Sequence, residues 1–209
     1  QDVSGTVLSR QEVTASEDVV KTVITSFEGE YMQIPPMYSA LKVNGQKLCD
    51  LARKGIEVER KARPVTIHKI EILEIDLPRV RMKVECSKGT YIRTLCQDIG
   101  EKLGCGACME SLLRTRVSEF RLDGALRLQQ IEELVQREDF SFVQSVDSVF
   151  MQYDSAQVME IAKKMVENGN RIPKEMICNM CQEKEQKCIR LYDWENRFIG
   201  LYAYMPQEQ

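Results

Sequence analysis

Three short stretches of this 209-residue chain gather side chains that could act on a substrate. In the first, Gln33-Ile34-Pro35-Pro36-Met37-Tyr38-Ser39-Ala40-Leu41-Lys42 ends a proline-stiffened run on a lysine, and Leu51-Ala52-Arg53-Lys54-Gly55 follows shortly after. The second, Cys86-Ser87-Lys88-Gly89-Thr90-Tyr91-Ile92-Arg93-Thr94-Leu95, turns from a strand into a helix at Gly89-Thr90, so Tyr91 and Arg93 emerge from the first helical turn. Residues two apart leave a helix on different faces. The ring can then form a wall while the planar guanidinium reaches a carboxylate or a phosphate. The third stretch, Leu112-Leu113-Arg114-Thr115-Arg116-Val117-Ser118-Glu119-Phe120, alternates arginine with apolar and hydroxyl residues.

Other chemistries find little support. The single histidine, His68, falls on an expected strand, so Ser-His-Asp or Cys-His hydrolysis would have to run through it alone. No phosphate-binding Gly-x-x-x-x-Gly-Lys loop, Gly-x-Gly-x-x-Gly turn or His-Glu-x-x-His pair occurs. Eight cysteines without an export signal are expected as reduced thiols. The pairs Cys105/Cys108 and Cys178/Cys181, with Cys188 nearby, have ligand-like spacing. They are too far apart in sequence for a zinc ribbon, whose pairs sit roughly 15–20 residues apart, and no metal site is expected. The net charge is −3, which does not favour nucleic acid. Its distribution does: Lys42 to Arg63 holds seven bases against three acids, a local field that can meet phosphate.

The elements that must position these residues are legible from periodicity and turn chemistry. A strand is expected over 4–13, and Ser16 caps a helix carrying Val19, Val20, Val23, Ile24 and Phe27 up to Gly29. Pro35-Pro36 keeps 31–36 extended, Asn44-Gly45 makes a hairpin turn, and a short helix runs from Leu48 to Lys54. Strands follow over 64–76, with a bulge near Lys69 and Ile70, and over 79–86. A helix from Gly89-Thr90 closes at Gly104. A strand is expected over 112–120, helices over 128–137 and 155–167, and a C-terminal hairpin over 187–193 and 197–204. Composition is that of a folded globular chain, 43% hydrophobic and 29% charged. The fold class is α+β, with a mixed, mostly antiparallel sheet and flanking helices over residues 1–148 and a small β-rich domain over 149–209. No membrane span is expected, and the protein is expected to be cytoplasmic.

In this order the segments resemble the TruB family of tRNA pseudouridine synthases. The Gln-x-Pro-Pro-x-Tyr-Ser-Ala-x-Lys, Ala-Arg-x-Gly, Cys-Ser-x-Gly-Thr-Tyr-Ile-Arg-Thr and Leu-x-Arg-Thr elements all stand in this sequence. The resemblance runs from Gln1 to about Leu134 and, more loosely, to the end, where residues 149–209 look like a PUA-like RNA-binding domain. It implies a pseudouridine-synthase-like core and isomerisation of uridine 55 in the T loop of tRNA, the T-arm stem-loop being the partner. The nucleotide is flipped out, an Asp attacks, the glycosidic bond breaks, the uracil turns and a carbon–carbon bond forms, all without a cofactor or an obligate protein partner. Arg93 matches the arginine that orients the nucleophilic Asp. Tyr91 and Leu112 match walls of the uridine pocket, and Lys42, Arg53 and Arg114 match residues along the RNA path.

The family's Gly-x-Leu-Asp-Pro nucleophile motif does not occur in these 209 residues, nor do its upstream histidine and Lys-x-Tyr element. Arg121-Leu122-Asp123-Gly124 is a superficial substitute in which Asp123 reads as a turn residue. The chain opens on Gln1-Asp2-Val3-Ser4-Gly5, which reads as mid-domain sequence. It is therefore expected to be part of a longer enzyme, inactive alone and with an unpaired sheet edge. The alternative is a non-catalytic RNA-binding fragment or module, and a guide-RNA-dependent relative of the family is a further reading.

Overall fold

The computed structural model describes residues 1–179 and 188–203. Local signals build most of its first half. The Ser16 hydroxyl accepts from the Val19 N–H at 3.5 Å and starts α1 (Glu17–Thr25), satisfying a donor that a helix start leaves open. The helix ends on Ser26 as its C-cap, and Gly29, expected as its stop, instead opens β1 (Gly29–Gln33). Strands β2 (Lys42–Val43) and β3 (Gln46–Lys47) join through Asn44 (φ 50°) and Gly45 (φ 81°), the two positive φ angles that a tight hairpin with the sheet's twist requires. Helix α2 (Leu48–Arg53) buries Leu48 and Leu51.

Strands β4 (Arg63–Asp76) and β5 (Arg79–Cys86) form a long antiparallel pair, with β1 on the other side of β4. The expected bulge is present. The register shifts between Ile67 and Lys69, so the buried set changes from Val65 and Ile67 to Ile70, and His68 is left exposed at the shift. Helix α3 (Ile92–Leu103) ends at Gly104, whose φ of 77° suits a residue without a Cβ. Val20 and Ile24 of α1, Ile67 and Ile70 of β4, and Leu95 and Ile99 of α3 form one buried cluster. Each contributes about 1.5–3 kcal/mol of apolar burial. Leu95, with no exposed surface, anchors α3 two positions beyond Arg93.

Two compact units divide the chain, Gln1–Leu113 and Arg114–Gln209, so position 148/149 lies inside the second. In that unit the elements run β6 (Arg116–Val117), β7 (Phe120–Arg121), α4 (Leu128–Gln136), β8 (Ser155–Val158), α5 (Lys163–Glu167), β9 (Ile177–Cys178), β10 (Cys188–Tyr192) and β11 (Phe198–Ala203). Its four-stranded sheet has the order β11-β10-β8-β9, with β8 and β10 parallel and the other pairs antiparallel. Ala156, Val158, Ala162 and Leu191 are its buried centre. The chain is thus α+β with mostly antiparallel sheets.

Three expected elements differ. Residues 4–13 form no strand, because among the described residues the only pairing near them is an isolated bridge from Asp2 to Met109. The expected strand over 112–120 reduces to β6 and β7 around Ser118 (φ 51°). The expected helix over 155–167 begins instead as β8, since Ser155, Ala156 and Gln157 find ladder partners in Arg190, Leu191 and Tyr192, and only Lys163–Glu167 is α-helical.

Candidate active site

Tyr91 stands immediately before α3 in extended backbone, with φ −100° and ψ 106°. The Gln33 side chain, 1% exposed at the end of β1, holds it from both sides. The Tyr91 N–H donates to Gln33 Oε1 at 2.8 Å, and Gln33 Nε2 donates to the Tyr91 carbonyl at 3.2 Å. The same Nε2 donates to the Tyr31 hydroxyl. Burial, and after it the charge of Asp98, pushes that hydroxyl up to about 12. Burial raises the carboxyl of Asp98, on α3, above its ordinary value, with the charge of Glu101 adding to the shift and the Tyr31 hydroxyl opposing it.

Arg93 is the second residue of α3, and the helix has no acid in its first turn. A cation there opposes the helix dipole. Asp2 supplies the compensation: Arg93 Nη1 lies 3.1 Å from Asp2 Oδ2, with 33% of the arginine side chain and 23% of the aspartate side chain exposed. Arg93 is therefore already engaged by a carboxylate of this chain, whereas the sequence had pointed only to one from outside it. Asp2 is held in turn by the bridge to Met109, where the Val3 N–H donates to the Met109 carbonyl at 3.2 Å and the Met109 N–H to the Gln1 carbonyl at 3.0 Å. The loop that brings Met109 there packs on α3 at Gly100, whose carbonyl accepts from the Gly106 N–H at 3.0 Å.

The Ser4 hydroxyl holds the Asp2 carboxyl below its ordinary value. The Ser4 N–H and the Arg93 charge add to this, against the cost of partial desolvation. The carboxylate's stabilising contribution is thus present above the unfolded-chain value of about 3.9 and is lost as pH falls through the lower folded value. A carboxyl-carbon NMR titration is expected to place the Asp2 midpoint below about 3.9. Ser4→Ala should raise it more than Arg93→Ala does, and a wild-type midpoint at or above that ordinary value would contradict the geometry.

Beside Tyr91 lies a concavity of about 160 Å³ whose lining includes Pro35, Leu41, Arg63, Pro64 and Lys88. Neither Arg63 nor Lys88 has a carboxylate within ion-pair distance among the described residues. Neither was singled out from the sequence. The clue available was the basic stretch that ends at Arg63 and the Lys88 that precedes Gly89-Thr90. Arg60 Nη1 donates to the Pro35 carbonyl at 3.2 Å and so ties the two prolines to that basic stretch.

Lys42 is exposed on the β2–β3 hairpin, next in sequence to the lining residue Leu41. Arg53 is exposed on α2 and ion-paired to Asp50 at 3.2 Å. Leu112 is 58% exposed in irregular backbone three residues beyond Met109. Arg114 is exposed and belongs to the second unit. Asp123, also in that unit, sits in a single 3-10 turn and pairs with Arg121 at 3.5 Å. Cys105 and Cys108 form no metal-ligating group of three among the described residues, and Cys181 lies outside them. No helix among the described residues is long and apolar enough to cross a membrane.

Known structures share this α+β arrangement. One, a crystal structure of a Cbf5-Nop10-Gar1 complex, superposes with a TM-score of 0.66 at 24% identity, covering 94% of this chain and 57% of that one. A structure of an H/ACA RNP bound to a substrate RNA containing 2'-deoxyuridine gives 0.63 at 20% identity, with 94% and 56% covered. Residues 1–92 match the TruB family pseudouridylate synthase N-terminal domain, and residues 93–156 match the tRNA pseudouridylate synthase B C-terminal domain. The tRNA pseudouridine synthase B of Alkaliphilus oremlandii is 45% identical over 202 residues, 96% of this chain and 66% of that protein. That of Clostridium acetobutylicum is 44% identical over 200 residues, 96% and 68% respectively. The chain belongs to the TruB family of pseudouridylate synthases, and it spans about two thirds of the length of these relatives.

Proposed function

We propose that this chain supplies the arginine-bearing part of the site of a tRNA pseudouridine synthase that isomerises uridine 55 in the T loop. The nucleophilic aspartate comes from a segment outside these 209 residues. The observation that carries the reading is the anchored pair at the start of α3: Tyr91 fixed by Gln33, and a third of the Arg93 side chain still open while it holds Asp2. The flipped uridine lies against Tyr91 and Leu112. Arg93 orients the attacking carboxylate and keeps it ionised. The glycosidic bond to N1 breaks, the uracil turns, C5 bonds to C1′, and the C5 hydrogen leaves as a proton, so nothing is oxidised and no cofactor is used. Lys42, Arg53 and Arg114 line the RNA path. Residues 149–209 act as a PUA-like RNA-binding domain. The enzyme works in the cytoplasm without an obligate protein partner.

Tritium release from 5-tritiated uridine in a T-arm hairpin tests this. The chain alone is expected to release none, and turnover is expected when a segment bearing Gly-x-Leu-Asp-Pro is supplied. Turnover by the chain alone would mean that another of its carboxylates attacks. Binding with no turnover under either condition would establish the non-catalytic alternative.

The unpaired Arg63 and Lys88 beside Tyr91 lead to a second expectation. Removing one phosphate-neutralising cation lowers the slope of log affinity against log salt by about 0.7 for a single strand and about 0.9 for a duplex. Arg63→Ala with Lys88→Ala is therefore expected to flatten that slope by about 1.5 and to weaken T-arm binding more at low salt than at high salt. Filter binding across a salt series measures it, and an unchanged slope would remove both residues from the RNA path.

A further inference from the structure

We propose that Gln33 is a positioning residue for the site, setting the direction of both Tyr91 and Arg93 through the Tyr91 backbone. The inference rests on the reading of Tyr91 and Arg93 just given. The N–H of Tyr91 belongs to the peptide plane before it and the carbonyl to the plane after it. One carboxamide that binds both fixes φ and ψ at that residue. Those two angles decide where the tyrosine ring leaves the chain and on which heading α3 begins, and Arg93 follows two positions later.

The attachment joins residues 58 positions apart, the end of β1 and the start of α3, so it is a tertiary clamp rather than part of a helix cap. Its orientation is determined. The oxygen faces an N–H, and the two amide hydrogens face the Tyr91 carbonyl and the Tyr31 hydroxyl, so a flipped amide would set donor against donor. The Tyr31 hydroxyl in turn feels the charge of Asp98 on α3, the helix that Tyr91 precedes. At 1% exposure no bulk water can replace the carboxamide. Leucine would fill the space but strand the Tyr91 N–H without its acceptor.

Two measurements test the proposal, one of which needs no reaction. In the 209-residue chain, Gln33→Leu is expected to speed hydrogen exchange of the Tyr91 amide about 10-fold or more while amides of the β4–β5 pair keep their protection. In the chain supplied with the Gly-x-Leu-Asp-Pro segment, the same variant is expected to lower kcat about 10-fold or more with KM for the T-arm within about twofold. In an Arg93→Ala background it should cost clearly less than in wild type, because only Tyr91 is then left for it to position. Tyr31→Phe, which keeps the ring and removes only the hydroxyl that accepts from Gln33, is expected to lower kcat about two- to fivefold. It decides the matter if Gln33→Leu does not fold.

Unchanged exchange at Tyr91 would overturn the proposal, as would losses that multiply through in the Arg93→Ala background or a Tyr31→Phe enzyme equal to wild type. If wild type itself shows no turnover, the functional reading fails, and the exchange measurement alone decides the role of Gln33.

Discussion

Arg93→Ala, made in the chain supplied with its missing motif, is expected to lower kcat for T-arm isomerisation by about 10²–10³-fold, the loss typical of removing one preorganised electrostatic partner from a reacting group. The structure supplies a specific reason for a loss this large. Asp2 stays at the N-terminus of α3 whether or not the arginine is present, because the Ser4 and Met109 contacts hold it. Once the guanidinium is gone, an incoming nucleophilic carboxylate meets Asp2 with no cation between them. Two like charges sharing a site raise the pKa of one, so the nucleophile is protonated more often and attacks less. The variant's rate should accordingly need a higher pH than wild type to reach its plateau. Arg93→Lys restores the charge but not the two-pronged geometry and should recover only part of the loss. KM should stay within about threefold, since the proposed RNA contacts lie elsewhere. A kcat loss below about fivefold, or an unshifted pH profile, would detach Arg93 from the reaction.

Gly100→Ala is expected to destabilise the first unit by about 1–3 kcal/mol, the usual cost of overpacking, despite the better helix propensity of alanine. A Cβ at Gly100 would fall 2.1 Å from the Ala107 nitrogen and 2.3 Å from the Gly106 carbonyl carbon. Both are backbone atoms, so no side-chain rotation relieves the overlap and the loop must move off the helix. Roughly 4 °C of melting temperature per kcal/mol gives a drop of about 4–12 °C. The same loop carries Met109 to Asp2, so the Asp2–Arg93 pair should loosen and activity fall further than stability alone explains. Gly124→Ala is the control, since a Cβ there meets nothing within 4 Å and its backbone is not left-handed. Thermal melts that rank Gly100→Ala at or above wild type would contradict the close approach.

What could be read along the chain was local in origin. The alternation over 79–86 became β5, Ser16 became an N-cap, Asn44-Gly45 a hairpin turn, and Gly104 a helix stop. In each case the deciding interaction spans only a few residues. The bulge near Lys69 was visible for the same reason, because a slip in the two-residue alternation is a property of the strand itself. The failures share the opposite cause. Ser155–Val158 has a sequence that suits the start of a helix, but it pairs with residues about 35 positions later, and residues 4–13 have no strand partner among the described residues. A ladder needs two strands, and one window shows only one.

The candidate site divides along the same line. Tyr91 and Arg93 were legible because a strand, a glycine turn and a helix start stand within ten residues, and the ordered motifs placed the chain in its family. The amino-acid order alone thus determined the residue types at the site, their immediate backbone and the family. The tertiary structure alone decided that Asp2 meets Arg93 across 91 positions and that a buried glutamine 58 positions away fixes Tyr91. Side-chain contacts of that range depend on how the helix and sheet pack around Leu95 and Ile67, and packing is a property of distance in space, which sequence separation does not encode.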